Sequence, residues 1–465
     1  MQLTGPLFLF LFLPLSLPLV IFCPQKYRKI VLSLVSIAWY VLANLGSPFA
    51  MLQIAAAILL CSLLAALPEG GFSRLRCAAG VILPLILFVT ARLLAEYGPS
   101  SYPYPMGLTF VTLGEISLSI DRYRGDAPDR DDPLSVAGYL LFFPALTLGP
   151  ILRYKQYLYM TEHARPSYER FSAGARLFLL GFIKRIAVAA VLWRALSDLL
   201  SFPAGALDLS AVAFALVLSL FFFCFFVSGC TDMARGLMSM YGMQPPRGHM
   251  GLLTATTPAR MLYGILLSLD RYLEDYVAGP IKRRITGIKG KLVACVPVFA
   301  LTMLFWRFRP EALLFFLPFL LISLLTVRQR RYSHAPRQLW LRAICILLSA
   351  AVVSVFSLSL TLGGVRELID LVRTAAGSKQ SYPFAYVYSA IADRTYLLIA
   401  GAVLAVLLPL QYAWPRLARR VPRRVRAGVQ ILMTAVLFLG FLGALVHFLP
   451  QFPKCADGVW PKLYL

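Results

Sequence analysis

Carboxylates set inside apolar sequence are the residues of this chain whose positions invite chemistry. Asp232 sits in Val227-Ser228-Gly229-Cys230-Thr231-Asp232-Met233-Ala234-Arg235-Gly236, directly after a long aromatic run. Glu115 lies inside the apolar run Leu108–Ile120. Charge at such depth is costly and faces a cavity or a partner. For each of these two carboxylates a functional role and a structural ion pair stand level. Asp270 and Glu274 are spaced i, i+4 and would share a helix face. With Arg271 and Asp275 beside them, a salt-bridged cluster is favoured over an acid/base pair. The four histidines are His163, His249, His334 and His447. Three fall in gaps between apolar runs, and His447 ends the last run. No GxSxG, P-loop, HExxH or dinucleotide fingerprint is present. The eight cysteines are scattered without CxxC or zinc-ligand spacing, and most read as buried thiols.

The elements that must position these groups are membrane helices. The chain has 465 residues, of which 59% are hydrophobic and only 14% charged. Its mean hydropathy is +0.74. Soluble domains are nearer a quarter charged and under half apolar. A soluble globular protein and a disordered one are both excluded. At about 20 residues per span, the chain could cross a bilayer roughly a dozen times. The reading is a single all-α polytopic membrane domain over residues 1–465, with about 11–14 apolar helices. Two runs, Leu108–Ile120 and Leu252–Leu269, are too short or too interrupted for simple spans. They read as re-entrant or half-buried, which places them around a functional chamber.

Lys and Arg number 45 against 21 Asp and Glu, a formal net charge of +24. The cations cluster in short gaps: Lys26, Arg28 and Lys29; Lys282, Arg283 and Arg284; Arg328 to Arg342; Arg416 to Arg426. This is the positive-inside pattern, so these gaps are placed in the cytoplasm, against anionic headgroups and not nucleic acid. The apolar run Leu7–Phe22 carries its charges after it, so it reads as a retained first span with the N-terminus outside. The gap Asp121–Asp132, with five aspartates and three arginines, reads as a solvated loop. Gly363–Arg394, holding Tyr382, Pro383, Phe384, Tyr386 and Tyr388, reads as the longest outer loop. Its aromatics are belt residues or a surface for a partner or glycan.

Four stretches together resemble a known family. They are Leu108-Thr109-Phe110 followed by Ser119-Ile120-Asp121-Arg122-Tyr123-Arg124-Gly125; Leu141-Phe142-Phe143-Pro144 leading to Gly149-Pro150-Ile151-Leu152-Arg153-Tyr154; Ser228-Gly229-Cys230-Thr231-Asp232-Met233-Ala234 with Gly242; and Glu274-Asp275-Tyr276-Val277 with Pro280. In this order they are similar to motifs of the membrane-bound O-acyltransferases, in particular the branch containing bacterial alginate O-acetyltransferase. The resemblance is strongest over residues 5–325, with 326–465 adding further spans. It implies helices, some re-entrant, around a central tunnel. An acyl donor such as acetyl-CoA would enter from the cytoplasm. A glycan hydroxyl, or an extracytoplasmic relay protein, would approach from outside. A tunnel histidine would activate the hydroxyl. Ser228, Asp232, Glu115, Asp275, Tyr276, Trp306 and Arg307 would then line the tunnel. No bound cofactor or metal is implied.

This chain departs from the family at the histidines. Spacing from Asp275 puts one histidine position on Leu266. The other, next to Trp306, holds Arg307. Arginine stays protonated and cannot serve as a base near neutrality. Asp270, Glu274 and Asp232 are the candidate substitutes. Three expectations follow. The chain is an O-acyltransferase with altered residues, a non-catalytic scaffold or partner subunit of a polysaccharide-modifying complex, or a conduit for an acyl donor or small anion.

Overall fold

The computed structural model describes residues 3–45, 73–97, 104–128, 132–202, 207–246, 267–306, 339–362 and 364–377, with scattered positions at 51–59 and 428–442. Every regular element among them is helical, so the fold is that of an all-α integral membrane protein. Leu266, Arg307, His249, His334 and His447 lie outside the described residues, as does most of Leu252–Leu269.

The chain opens with α1 (Phe8–Ile21), shorter than a bilayer span. Pro24 then starts α2 (Gln25–Ala43), which buries Leu32, Val35, Ser36, Trp39 and Tyr40 along one stripe. Helix α3 (Ser73–Tyr97) contains one of two stretches among the described residues that are long and apolar enough to cross a membrane. It packs on α4 (Leu108–Arg124). Glycines at φ +83° and +75°, Gly107 and Gly125, bracket α4. That left-handed conformation penalises a Cβ and sets where the helix begins and stops.

Helices α5 (Pro133–Leu140) and α6 (Tyr154–Glu162) flank the Gly149-Pro150 turn. Helix α7 (Tyr168–Ile183) runs into a π-helical turn, Lys184–Ala189, and then α8 (Ala190–Leu200). Helix α9 (Leu209–Met240) is the second long apolar helix. Its 32 residues give a rod about 48 Å long, more than the roughly 30 Å of bilayer hydrocarbon. Glycines let α7 and α9 touch backbone to backbone. A Cβ on Gly181 would lie 2.6 Å from the Gly229 carbonyl oxygen, and one on Gly236 would lie 2.7 Å from the Gly174 carbonyl oxygen. Such close approach is how helices associate where lipid offers no hydrophobic drive.

Helix α10 (Leu267–Leu273) passes through a π turn, Glu274–Ala278, into α11 (Gly279–Arg284) and then α12 (Gly287–Trp306). Helix α13 (Leu339–Leu362) ends at a 104° bend into α14 (Val365–Gly377). If that bent pair counts as one span, the described spans number three.

Two expectations are corrected here. The gap Asp121–Asp132 is not all solvated loop, because α4 continues to Arg124 and Asp121 is 5% exposed. Satisfied polar contacts hold that carboxylate inside. Part of the outer segment Gly363–Arg394 is helical. In α14, Val365, Leu368 and Ala375 turn inward while Arg366, Glu367, Asp370 and Arg373 stay exposed. The charges on its outer face break up the hydropathy and make an amphipathic helix read as loop. The run Leu108–Ile120 lies within one unbroken, largely buried helix, α4.

Candidate functional site

Residues from three of the four stretches meet in one polar node at the end of α4. The Tyr276 hydroxyl donates to both carboxylate oxygens of Asp121, at 2.8 Å each. Arg153, which caps α6, forms an ion pair with Asp275. Arg124 donates to the Asp275 carbonyl at 3.2 Å. The guanidinium groups of Arg124 and Arg153 each lie 5.4 Å from the centre of the Tyr276 ring. A phenol between two cations with its hydroxyl on a carboxylate is held against rotation on every side. Burial raises the Asp121 carboxyl, while the Tyr276 hydroxyl, Arg153 and Arg124 pull it back down. Burial, and then the Asp121 charge, push the Tyr276 phenol well up. It therefore stays protonated and donates.

The π turn is what builds this arrangement. Its wider winding shifts register after Leu273, and its two acids take partners from elsewhere in the molecule. Asp275 goes to Arg153, and Glu274 goes to Lys282 at 2.7 Å. The expected cluster of Asp270, Arg271, Glu274 and Asp275 is thus not self-contained. Asp270, on α10, also carries an interaction and is not a free acid. One turn earlier, Tyr272 donates to the Leu113 carbonyl of α4 at 3.0 Å and locks α10 onto α4.

The third stretch forms a second node. Asp232 is fully buried on α9 and accepts from Lys184 Nζ at 2.5 Å. Arg235, one turn on, reaches its other oxygen at 3.5 Å. Lys184 stands on the π turn after α7, which the Gly181–Gly229 contact brings alongside. Arg185 rests on the Phe226 ring at 5.0 Å and donates to Cys230 Sγ. Thr231 ties this helix to the second stretch by donating to the Leu148 carbonyl at 3.2 Å. Leu148 holds φ +63°, unusual for a side chain with a Cβ, and the Thr231 bond secures its carbonyl. All four stretches thus touch another at a defined contact, and Tyr139 of α5, next to the second stretch, adds a bond to Ser117 of α4 at 3.1 Å.

The remaining predicted residues stand apart. Among the described residues, Ser228 bonds within its own helix, to the Phe225 carbonyl at 3.4 Å. Glu115 is 2% exposed on α4, and its Oε1 meets no hydrogen-bond partner among the described residues. Trp306 closes α12. Sequence reasoning did not single out Lys184 or Arg153 as site residues. The signal for Lys184 was available: Lys184-Arg185 interrupts the apolar run Phe171–Leu200, where an intramembrane carboxylate needs a cation. No group of three or more metal-ligating side chains occurs among the described residues.

Comparison with known proteins gives consistent results. A model described as MBOAT, the membrane-bound O-acyltransferase family, matches residues 127–360. The chain is 29% identical over 271 residues to the probable alginate O-acetylase AlgI of Pseudomonas aeruginosa, covering 52% of this chain and 50% of that protein. It is 30% identical over 287 residues to the protein of the same description from Pseudomonas fluorescens, with 60% and 56% covered. With that of Azotobacter vinelandii it shares 30% identity over 270 residues, with 52% of each covered. The chain spans about half the length of the curated relatives it matches.

Proposed function

The chain belongs to the membrane-bound O-acyltransferase family, and on that premise we propose that it serves the O-acylation of an exported or cell-surface glycan without the family's histidine pair. The observation that carries this reading is the interlocking of the motif residues, with Arg153–Asp275 and Tyr276–Asp121 at its centre. The curated relatives, described as probable alginate O-acetylases, supply the substrate class. The donor is an acyl-CoA such as acetyl-CoA, presented on the cytoplasmic side. The acceptor, or an extracytoplasmic relay protein, approaches from the other side. The protein sits in the inner or plasma membrane, with the N-terminus outside and the basic gaps in the cytoplasm.

A second reading has its own support. Leu266 and Arg307 stand at the two histidine positions, and loss of a general base costs about 10²- to 10⁴-fold. On that reading the chain is a non-catalytic scaffold that holds a glycan-modifying complex together.

One assay separates the two. The purified protein in nanodiscs is given radiolabelled acetyl-CoA and a panel of soluble glycans, with Arg307→His in parallel. Transfer by the unmodified chain establishes the enzyme. Silence in the unmodified chain with transfer by Arg307→His establishes the scaffold. Silence in both, in the presence of membrane extract from the source cell, removes the acyl-transfer reading.

A further inference from the structure

The carboxylates of the two nodes are all engaged. Asp232 faces Lys184 and Arg235, Asp121 faces the Tyr276 hydroxyl, Asp275 faces Arg153, and Glu274 faces Lys282. Glu115 breaks this rule. It is as buried as Asp121, yet among the described residues its Oε1 has no hydrogen-bond partner and no ion pair reaches it. On its own helix face it is flanked by Val111 and Leu118, both fully buried. Among the titratable groups that reach α4 from its neighbours, three bond atoms other than Glu115. Arg92 of α3 bonds Thr109, Tyr139 of α5 bonds the Leu152 carbonyl, and Tyr272 of α10 bonds the Leu113 carbonyl.

An acid left without a counter-ion in an apolar interior is expensive to ionise and of no use to packing. A leucine would fill the same space at less cost. Groups that move a proton are often buried and poorly matched in this way.

We propose that Glu115 is a proton-exchange site inside the membrane domain, trading one proton with a hydroxyl group brought to α4. This rests on the acyl-transfer reading for its purpose, since the hydroxyl to be activated there is the acceptor alcohol. In the step it would serve, the neutral Glu115 carboxyl gives its proton to the thiol sulphur as the carbon–sulphur bond of the thioester breaks and the alcohol oxygen bonds the carbonyl carbon. The alcohol's O–H bond breaks in the same step and its proton passes to the carboxylate so formed. The neutral carboxyl is restored, and no further reactant is needed.

The test reads protonation directly and does not need activity. Dicyclohexylcarbodiimide attacks only a protonated carboxyl and leaves a stable adduct. At pH 7 an ordinary glutamate is protonated in about one molecule in 500. The full-length protein in nanodiscs is treated at pH 7 and its peptides are analysed by mass spectrometry, with Glu274 as the internal reference. The expected result is at least a tenfold excess of adduct on Glu115 over Glu274. Labelling of Glu115 no greater than that of Glu274 overturns the proposal, because the carboxyl is then either ionised or sealed from any partner. Glu115→Gln keeps the shape, and Glu115→Leu serves in its place if the glutamine variant does not fold. Either should keep the melting temperature within a few degrees of the parent; a larger loss assigns Glu115 to structure and overturns the proposal. Adduct on Glu115 in a protein that transfers no acyl group supports the proton site while removing the acyl-transfer reading. Transfer undiminished by Glu115→Gln removes the proton site while leaving that reading in place.

Discussion

Asp232 sits at 0% exposure and Lys184 at 3%, so neither can fall back on water. Removing one partner of such a pair leaves a buried charge uncompensated, which costs about 3–5 kcal/mol. Asp232→Asn should therefore lower the melting temperature of the detergent-solubilised protein sharply. Replacing both partners with apolar residues of similar size, Lys184→Met with Asp232→Leu, should recover most of the loss. Arg235 keeps a second acceptor, the Pro246 carbonyl at 2.9 Å, so it is not stranded by the double change. If Asp232→Asn melts within a few degrees of the parent, the pair is not a structural clamp. This matters for mechanism because Asp232 is one of three acids that could replace a missing histidine. Its two carboxylate oxygens are already taken up by Lys184 and Arg235. The acids' own sequence contexts did not separate them. Asp232 and Glu115 both lie in apolar runs, and what distinguishes them is Lys184, 48 residues away from Asp232 in the chain.

At the scale of the element, the contact between α7 and α9 fixes where that pair forms. Gly181 and Gly229 meet at a distance that admits no side chain. Gly181→Val should force the helices apart and pull Lys184 from Asp232, a cost of about 1–3 kcal/mol for overpacking alone. Gly125→Ala is the matched control. A Cβ there meets nothing within 4 Å, so only its left-handed backbone is penalised, by about 1–2 kcal/mol. Melting temperatures of the two variants in the same detergent should rank Gly181→Val well below Gly125→Ala. The reverse order would mean that the two helices are not seated against each other as described. Helices of this kind were legible in the sequence wherever hydropathy was continuous, as in Leu209–Val227. They were not legible where charge interrupts it. The end of α4 is charged because Asp121 answers Tyr276, 155 residues on, and α14 is charged because only one of its faces is buried. The π turn at Glu274 was also invisible, because i, i+4 spacing assumes a regular α-helix.

At the scale of the whole molecule, the contacts argue for one basic end. Helix α2 is 19 residues long, about 28 Å. At its far end, Asn44 accepts from the Met106 amide, just before α4. At its near end, Gln25 donates to the Glu162 carbonyl and Arg28 to the Ala164 carbonyl. Helix α6 ends at Glu162 and begins beside Arg153, so the Arg153–Asp275 node lies within about 13 Å of the Gln25 end. Lys26, Arg28, Lys29, Arg124, Arg153, Lys282, Arg283 and Arg284 therefore gather toward the same end of the described helices. Two of the gaps assigned to the cytoplasm on charge alone are thus brought together by independent contacts. The asymmetry follows from the cost of moving lysine and arginine across a bilayer during insertion. It yields a sidedness that can be measured. Single cysteines placed at Lys26, Arg283 and Leu45, in a background lacking the native ones, are treated with a membrane-impermeant maleimide on intact cells and again after lysis. Lys26→Cys and Arg283→Cys should react only after lysis, whereas Leu45→Cys, beyond the far end of α2, should react on intact cells. Reaction of Lys26→Cys and Arg283→Cys from opposite sides would break the shared end, and with it the placement of the Arg153–Asp275–Tyr276 node beside these basic gaps.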